Sequence, residues 1–128
     1  MDSNANALNW FEIPAVDIER AQEFYEGIFD IDMVAMQEMP GMKMVSFPIE
    51  MASRKISGAI VESDYHIPSG EGVVIYLNAN PDMQLILDRI EDVGGEIIMP
   101  RTEITPEIGY MASFIDSEGN RIGLHAQN

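Results

Sequence analysis

Asn9-Trp10-Phe11-Glu12-Ile13-Pro14-Ala15-Val16-Asp17-Ile18-Glu19-Arg20-Ala21-Gln22-Glu23-Phe24-Tyr25 is the stretch on which the reading of the fold turns. Leu8 to Ile13 is short, apolar and aromatic and ends at Pro14, the pattern of a strand. Asp17 then reads as a helix N-cap, although Arg20 stands where a capping box would place Glu or Gln. Ile18, Ala21, Phe24, Tyr25 and Ile28 recur at helical spacing, which predicts an amphipathic helix over 17–29. Strand-like stretches follow at about 31–36, 43–49 and 56–62, broken by Pro40-Gly41 and by the polar run Ala52-Ser53-Arg54-Lys55.

After a connector over 63–71 the order restarts. Gly72 to Ala79 reads as a strand. Asp82 heads a helix carrying Leu85, Ile86, Arg89, Ile90 and Val93, closed by Gly94-Gly95. Strands are predicted at about 96–99, 108–115 and 121–126, with Asp116-Ser117-Glu118-Gly119-Asn120 as the turn before the last. An offset of 65 residues lays Asp17 on Asp82 and Ser57-Gly58-Ala59-Ile60-Val61 on Ile122-Gly123-Leu124-His125-Ala126. The chain therefore reads as two tandem βαβββ units, about 8–62 and 72–126, in one α+β domain spanning 1–128. A half of this size is marginal alone, so the two units are expected to complete each other.

The 128 residues carry seven Lys+Arg against 22 Asp+Glu, a net charge of -15, which disfavours nucleic acid and anionic membranes as partners and leaves cationic or neutral ones open. Cysteine is absent, which removes disulfides, thiolate metal sites and cysteine nucleophiles together. The first residues show no positive n-region or apolar h-region, and no apolar run reaches the ~18 residues of a membrane span, so the expectation is a cytoplasmic protein. Dinucleotide, P-loop, G-x-S-x-G and H-E-x-x-H motifs are missing.

The run Asn9 to Pro14 leading into Asp17-Ile18-Glu19-Arg20-Ala21 and Phe24-Tyr25, with Gly94-Gly95 and the ending Asp116-Ser117-Glu118-Gly119-Asn120-Arg121-Ile122-Gly123-Leu124-His125, resembles the vicinal oxygen chelate superfamily. That group includes glyoxalase I, extradiol dioxygenases and bleomycin- and fosfomycin-resistance proteins, and the similarity is strongest to its small glyoxalase-like bacterial members. The resemblance implies a curved mixed sheet with a concave pocket, helices on the convex side, and a homodimer. It also implies four metal-ligand positions, on the first and last strands of each unit. Those positions fall here on Trp10, Gly58, Val74 (or Ile75) and Gly123, none of which is a ligand. No metal or other cofactor is therefore expected.

Alternation along strands extends the expected pocket lining to Trp10, Glu12, Ile60, Glu62, Val74, Tyr76 and His125. Four of them have a bland alternative: Trp10 as core, Glu12 in a salt bridge or at a solvated edge, Tyr76 as a sheet-former, His125 as a structural or surface group. His66 reads as a solvent-facing loop residue. The methionines at 33, 36, 39, 42, 44 and 51 read either as filling for an edge hairpin or as a plastic wall for a ligand or subunit. Two main functions follow: a metal-free protein binding a cationic or aromatic small molecule, or an enzyme using a displaced Glu12/Glu62/His125 metal or a Glu12/His125 acid–base pair. A scaffold that has kept the fold and lost its pocket is the third.

Overall fold

The computed structural model describes residues 1–37 and 39–128. The first unit runs β1 (Trp10–Pro14), α1 (Ile18–Phe29), β2 (Val34–Ala35), β3 (Met42–Ser46), a 3-10 turn at Met51–Ser53 and β4 (Ser57–Ser63). The second runs β5 (Tyr76–Asn78), α2 (Met83–Ile90), a 3-10 turn at Glu91–Val93, β6 (Glu96–Thr105), β7 (Gly109–Ile115) and β8 (Arg121–Ala126). The α+β class and the order βαβββ in each unit are as the sequence led us to expect. The strands form two four-stranded mixed sheets, ordered β1-β4-β3-β2 and β5-β8-β7-β6.

Both helices begin where an aspartate caps them. Asp17 accepts the amides of Glu19 and Arg20, and Asp82 accepts that of Gln84. α1 buries Ile18, Ala21, Phe24, Tyr25 and Ile28, the expected face. α2 buries Met83, Ile86, Leu87 and Ile90, and Leu85, expected inside, is 52% exposed. These two faces share one cluster with Ile13 and Ile60 from the first sheet and with Leu77, Ala112, Phe114 and Leu124 from the second. Arg89 donates to the Ile28 carbonyl at 3.2 Å, tying the helices together.

Three strands depart most in length from what was expected. β5 shrinks to Tyr76–Asn78: Gly72 adopts φ +93 and residues 72–75 lie outside the strand, although the Ile75 carbonyl still accepts the Gly123 amide at 2.8 Å. β2 keeps only two residues of the expected six. β6 instead runs ten residues, through Pro100, against an expected span of about 96–99. It is an edge strand with register shifts between Ile97 and Thr102, and an edge position requires no ladder bond from the proline nitrogen.

Candidate functional site

Strand register decides which side chains share a face. Trp10 pairs with Ser57 and Glu12 with Ala59, while Tyr76 pairs with Gly123 and Asn78 with His125. The strands of the two units therefore superpose at an offset of 66, from Trp10 to Tyr76 and from Ser57 to Gly123, although the helix caps superpose at 65. A slip of one residue turns every side chain to the other face. Ile60 and Glu62 were expected beside Trp10 and Glu12, and they lie on the helix side instead. Ile60 is fully buried in the core, and Glu62 accepts the Ile18 amide at 2.9 Å, at the start of α1. Gly58 goes with them: a Cβ there would stand 2.5 Å from the Phe11 ring and carbonyl oxygen.

On the opposite, open face of the first sheet lies a hydrogen-bonded chain of four residues. The Trp10 indole N–H donates to Glu12 Oε2 at 3.3 Å. Glu12 Oε1 is 2.8 Å from His66 Nε2, and His66 Nδ1 is 2.7 Å from Ser63 Oγ. A carboxylate only accepts, so Nε2 carries a proton, and in the neutral form of the ring Nδ1 accepts from the Ser63 hydroxyl. Ser63 Oγ in turn accepts the Tyr65 amide at 3.1 Å. His66, expected to face solvent, is thus drawn onto the sheet, its side chain 19% exposed. The signals were a carboxylate between two apolar residues on a strand, which requires a partner, and a serine three residues before a histidine at a strand end.

Ser63 and His66 line a cleft of about 860 Å³ whose walls include Ala15, Met42 and Lys43. A smaller cavity of about 200 Å³ is lined by Glu12, Ile75 and Asn120, and Ile67 borders both. The methionines divide. Met33 is in the core, Met42 and Met44 lie opposite Ser63 and Val61 on the open face, and Met39 and Met51 are exposed.

In the second unit the open face carries Tyr76, 55% exposed and lying over Gly123, where a Cβ would meet its ring at 2.5 Å. Val74 lies just before β5 and outside the ladder. His125 Nε2 donates to the Ile108 carbonyl at 2.8 Å and makes no hydrogen bond to Glu12, whose partners are Trp10 and His66. Glu12 and His125 thus point to different partners, and Glu12, Glu62 and His125 do not form a group placed to hold a metal. Register moves two of the four superfamily ligand positions, from Gly58 to Ser57 and from Val74 to Tyr76. The resulting set of Trp10, Ser57, Tyr76 and Gly123 holds no imidazole or carboxylate and does not fit a divalent metal. Among the described residues no group of three or more His, Asp or Glu is placed to hold one elsewhere.

The site is held from below by the β7–β8 turn. Glu118, its side chain without solvent exposure, accepts the amides of Val16 and Asp17 at 2.9 and 2.8 Å and the Arg20 guanidinium at 2.7 and 3.0 Å. Burial pushes its carboxyl up, but the bonds from Arg20, the Asp17 backbone and Ser117 outweigh this and hold it below the usual 4.5. Beside it the Tyr25 hydroxyl donates to Asp116 at 2.7 Å, and burial and then the Asp116 charge push that phenol well above 10.0. Asn120 donates to the Pro14 carbonyl at 2.7 Å, fixing the end of β1.

Among known proteins, the chain is 25% identical to the anthracycline biosynthesis protein DnrV of Streptomyces peucetius over 86% of its own length. The match spans 43% of that relative, so the chain covers less than half of it. A crystal structure of a glyoxalase/bleomycin resistance protein from Streptomyces sp. CB03234 superposes with a TM-score of 0.65 at 25% identity, covering 91% of this chain and 97% of the other. A glyoxalase I mutant from Zea mays shares the fold, with a TM-score of 0.68 at 14% identity over 94% of this chain and 46% of that one. With the profile of the Glyoxalase/Bleomycin resistance protein/Dioxygenase superfamily matching residues 7–124, the chain belongs to that superfamily.

Proposed function

We propose that the open face of the first unit binds a small cationic or aromatic molecule without a metal. The observation that carries this is Trp10: the residue is 38% exposed, on the face away from the core, and its indole N–H is bonded to Glu12. A fixed, accessible ring is a stacking surface, and a neighbouring carboxylate in a chain of net charge -15 favours a cation over it. A relative named for anthracycline biosynthesis supports a small-molecule ligand. The second unit adds Tyr76, Val74 and His125 as further candidate contacts. Thermal shift with three molecules sharing one ring tests the charge preference: cationic 1-methylnicotinamide, neutral nicotinamide and anionic nicotinate. Stabilisation in that order supports the reading, and equal or reversed order contradicts it.

The same exposed apolar residues, Val73, Val74 and Tyr76, support assembly into a two-fold homodimer. Association between two chains of charge -15 should strengthen with salt. Sedimentation giving a monomer at tens of micromolar in both low and high salt contradicts it. Among the described residues no helix is long and apolar enough to cross a membrane. The net charge of -15 disfavours an anionic membrane surface, which supports action on a dissolved ligand.

A further inference from the structure

We propose that Ser63 is an activated nucleophile and that the cleft beside it takes small neutral or cationic esters, with Ser63, His66 and Glu12 forming a relay. Three geometric facts meet here. His66 Nδ1 lies 2.7 Å from Ser63 Oγ, and His66 Nε2 lies 2.8 Å from Glu12 Oε1, which gives nucleophile, base and orienting carboxylate in sequence. Both ring nitrogens of His66 are engaged, so His66 does not itself meet a ligand, and Ser63 Oγ is the atom of the relay left to react. Ser63 and His66 both line the cleft of about 860 Å³, room enough for a small organic molecule.

The chemistry balances with water as the only co-reactant. Ser63 Oγ attacks the ester carbonyl carbon, and its proton passes to His66 Nδ1 while Glu12 steadies the imidazolium. The C–O bond to the alcohol breaks, and His66 returns the proton to the departing oxygen. Water then attacks the acyl group on Ser63, giving a proton to His66 Nδ1. The carboxylic acid leaves and Ser63 regains its hydrogen. Glu62 and Asp64 at the cleft wall disfavour anionic substrates, although Lys43 lies 3.9 Å from Glu62 and offsets part of that charge. This relay is separate from stacking on Trp10 and shares only Glu12 with it.

The test is covalent labelling of the full chain with an alkyl fluorophosphonate, read by intact mass and peptide mapping, with 4-nitrophenyl acetate hydrolysis alongside. One adduct is expected, on Ser63, with fluoride leaving. Ser63→Ala should abolish both label and hydrolysis. His66→Gln should slow labelling about a hundredfold, the usual scale of general-base assistance. Circular dichroism and the Trp10 emission confirm that each variant is folded. Should His66→Gln fail to fold, His66→Asn replaces it with the same expectation. Absence of an adduct, an adduct mapping elsewhere, or labelling as fast in the histidine variants as in the parent would overturn the proposal.

Discussion

Glu12 of the first unit and Asn78 of the second stand on the same rung of their sheets, opposite Ala59 and His125 respectively. In the first unit the histidine arrives from the connector and binds the strand carboxylate. In the second it sits on the strand and turns to a backbone carbonyl at Ile108. The turns before the last strands differ as well. That of the second unit reaches across to cap α1 through Glu118, whereas the 3-10 turn of the first makes local bonds from Ser53 to Glu50 and from Lys55 to Ser53. Duplicated architecture thus carries unequal duties. One unit presents polar groups at its open face, and the other supplies the clamp that holds that face in place.

The sharpest way to break this asymmetry is at the clamp. Glu118→Ala leaves the amides of Val16 and Asp17 and the Arg20 guanidinium without their acceptor. It should cost about 3 kcal/mol, given the strength of hydrogen bonds to charged groups, read by urea unfolding. Removing Ser53 Oγ in the first unit by Ser53→Ala loses two solvent-exposed bonds, to the Glu50 carbonyl and from the Lys55 amide, and should cost no more than about 1 kcal/mol. Equal costs would contradict the assignment of the clamp to the second unit.

Glycines at the last strands give the next largest contrast. Gly58→Ala drives a methyl into the Phe11 ring and carbonyl oxygen under the core, which should cost about 2 kcal/mol. The nearest atoms to the methyl of Gly123→Ala are those of the Tyr76 ring, which is half exposed and free to swing away, so its cost should stay below about 1 kcal/mol. Thermal unfolding of the two variants checks the register directly.

A smaller effect should appear with acid. The Glu118 carboxyl is lowered from 4.5 in the folded chain, so its contribution to stability is present above that value and is lost as pH falls through the depressed one. Glu118→Gln should make the decline of Tm below pH 4.5 shallower than in the parent. An unchanged acid slope would contradict the cause given for the shift.

Much of the fold was legible in local chemistry. Asp17 and Asp82 announced both helices, the spacing from Ile18 to Ile28 gave the buried face of α1, and β7 and β8 fell within one residue of their expected ends. The open face was only half legible, because it depends on register. The link from Glu12 to Asp17 is one residue longer than that from Asn78 to Asp82, so an alignment anchored on the caps slips by one on the strands and misplaces Gly58, Ile60 and Glu62. Trp10, counted back from Asp17 within its own unit, and Glu12, two residues further along the same strand, needed no offset between the units and share one face of β1. His66 was out of reach of any strand pattern, since a connector residue finds its partner only in three dimensions. β6 outran its expected end at 99 because it is an edge strand, where Pro100 is tolerated without a ladder bond from its nitrogen.

The central claim is that the open face of the first unit is the ligand surface, and Trp10, the single tryptophan, reports on it without labelling. Titrating 1-methylnicotinamide while following tryptophan emission should give saturable quenching, with a weaker response to neutral nicotinamide and the weakest to nicotinate. Glu12→Gln should narrow the gap between the three. Emission that changes only linearly, as by collision, or equally for all three charges would contradict the claim.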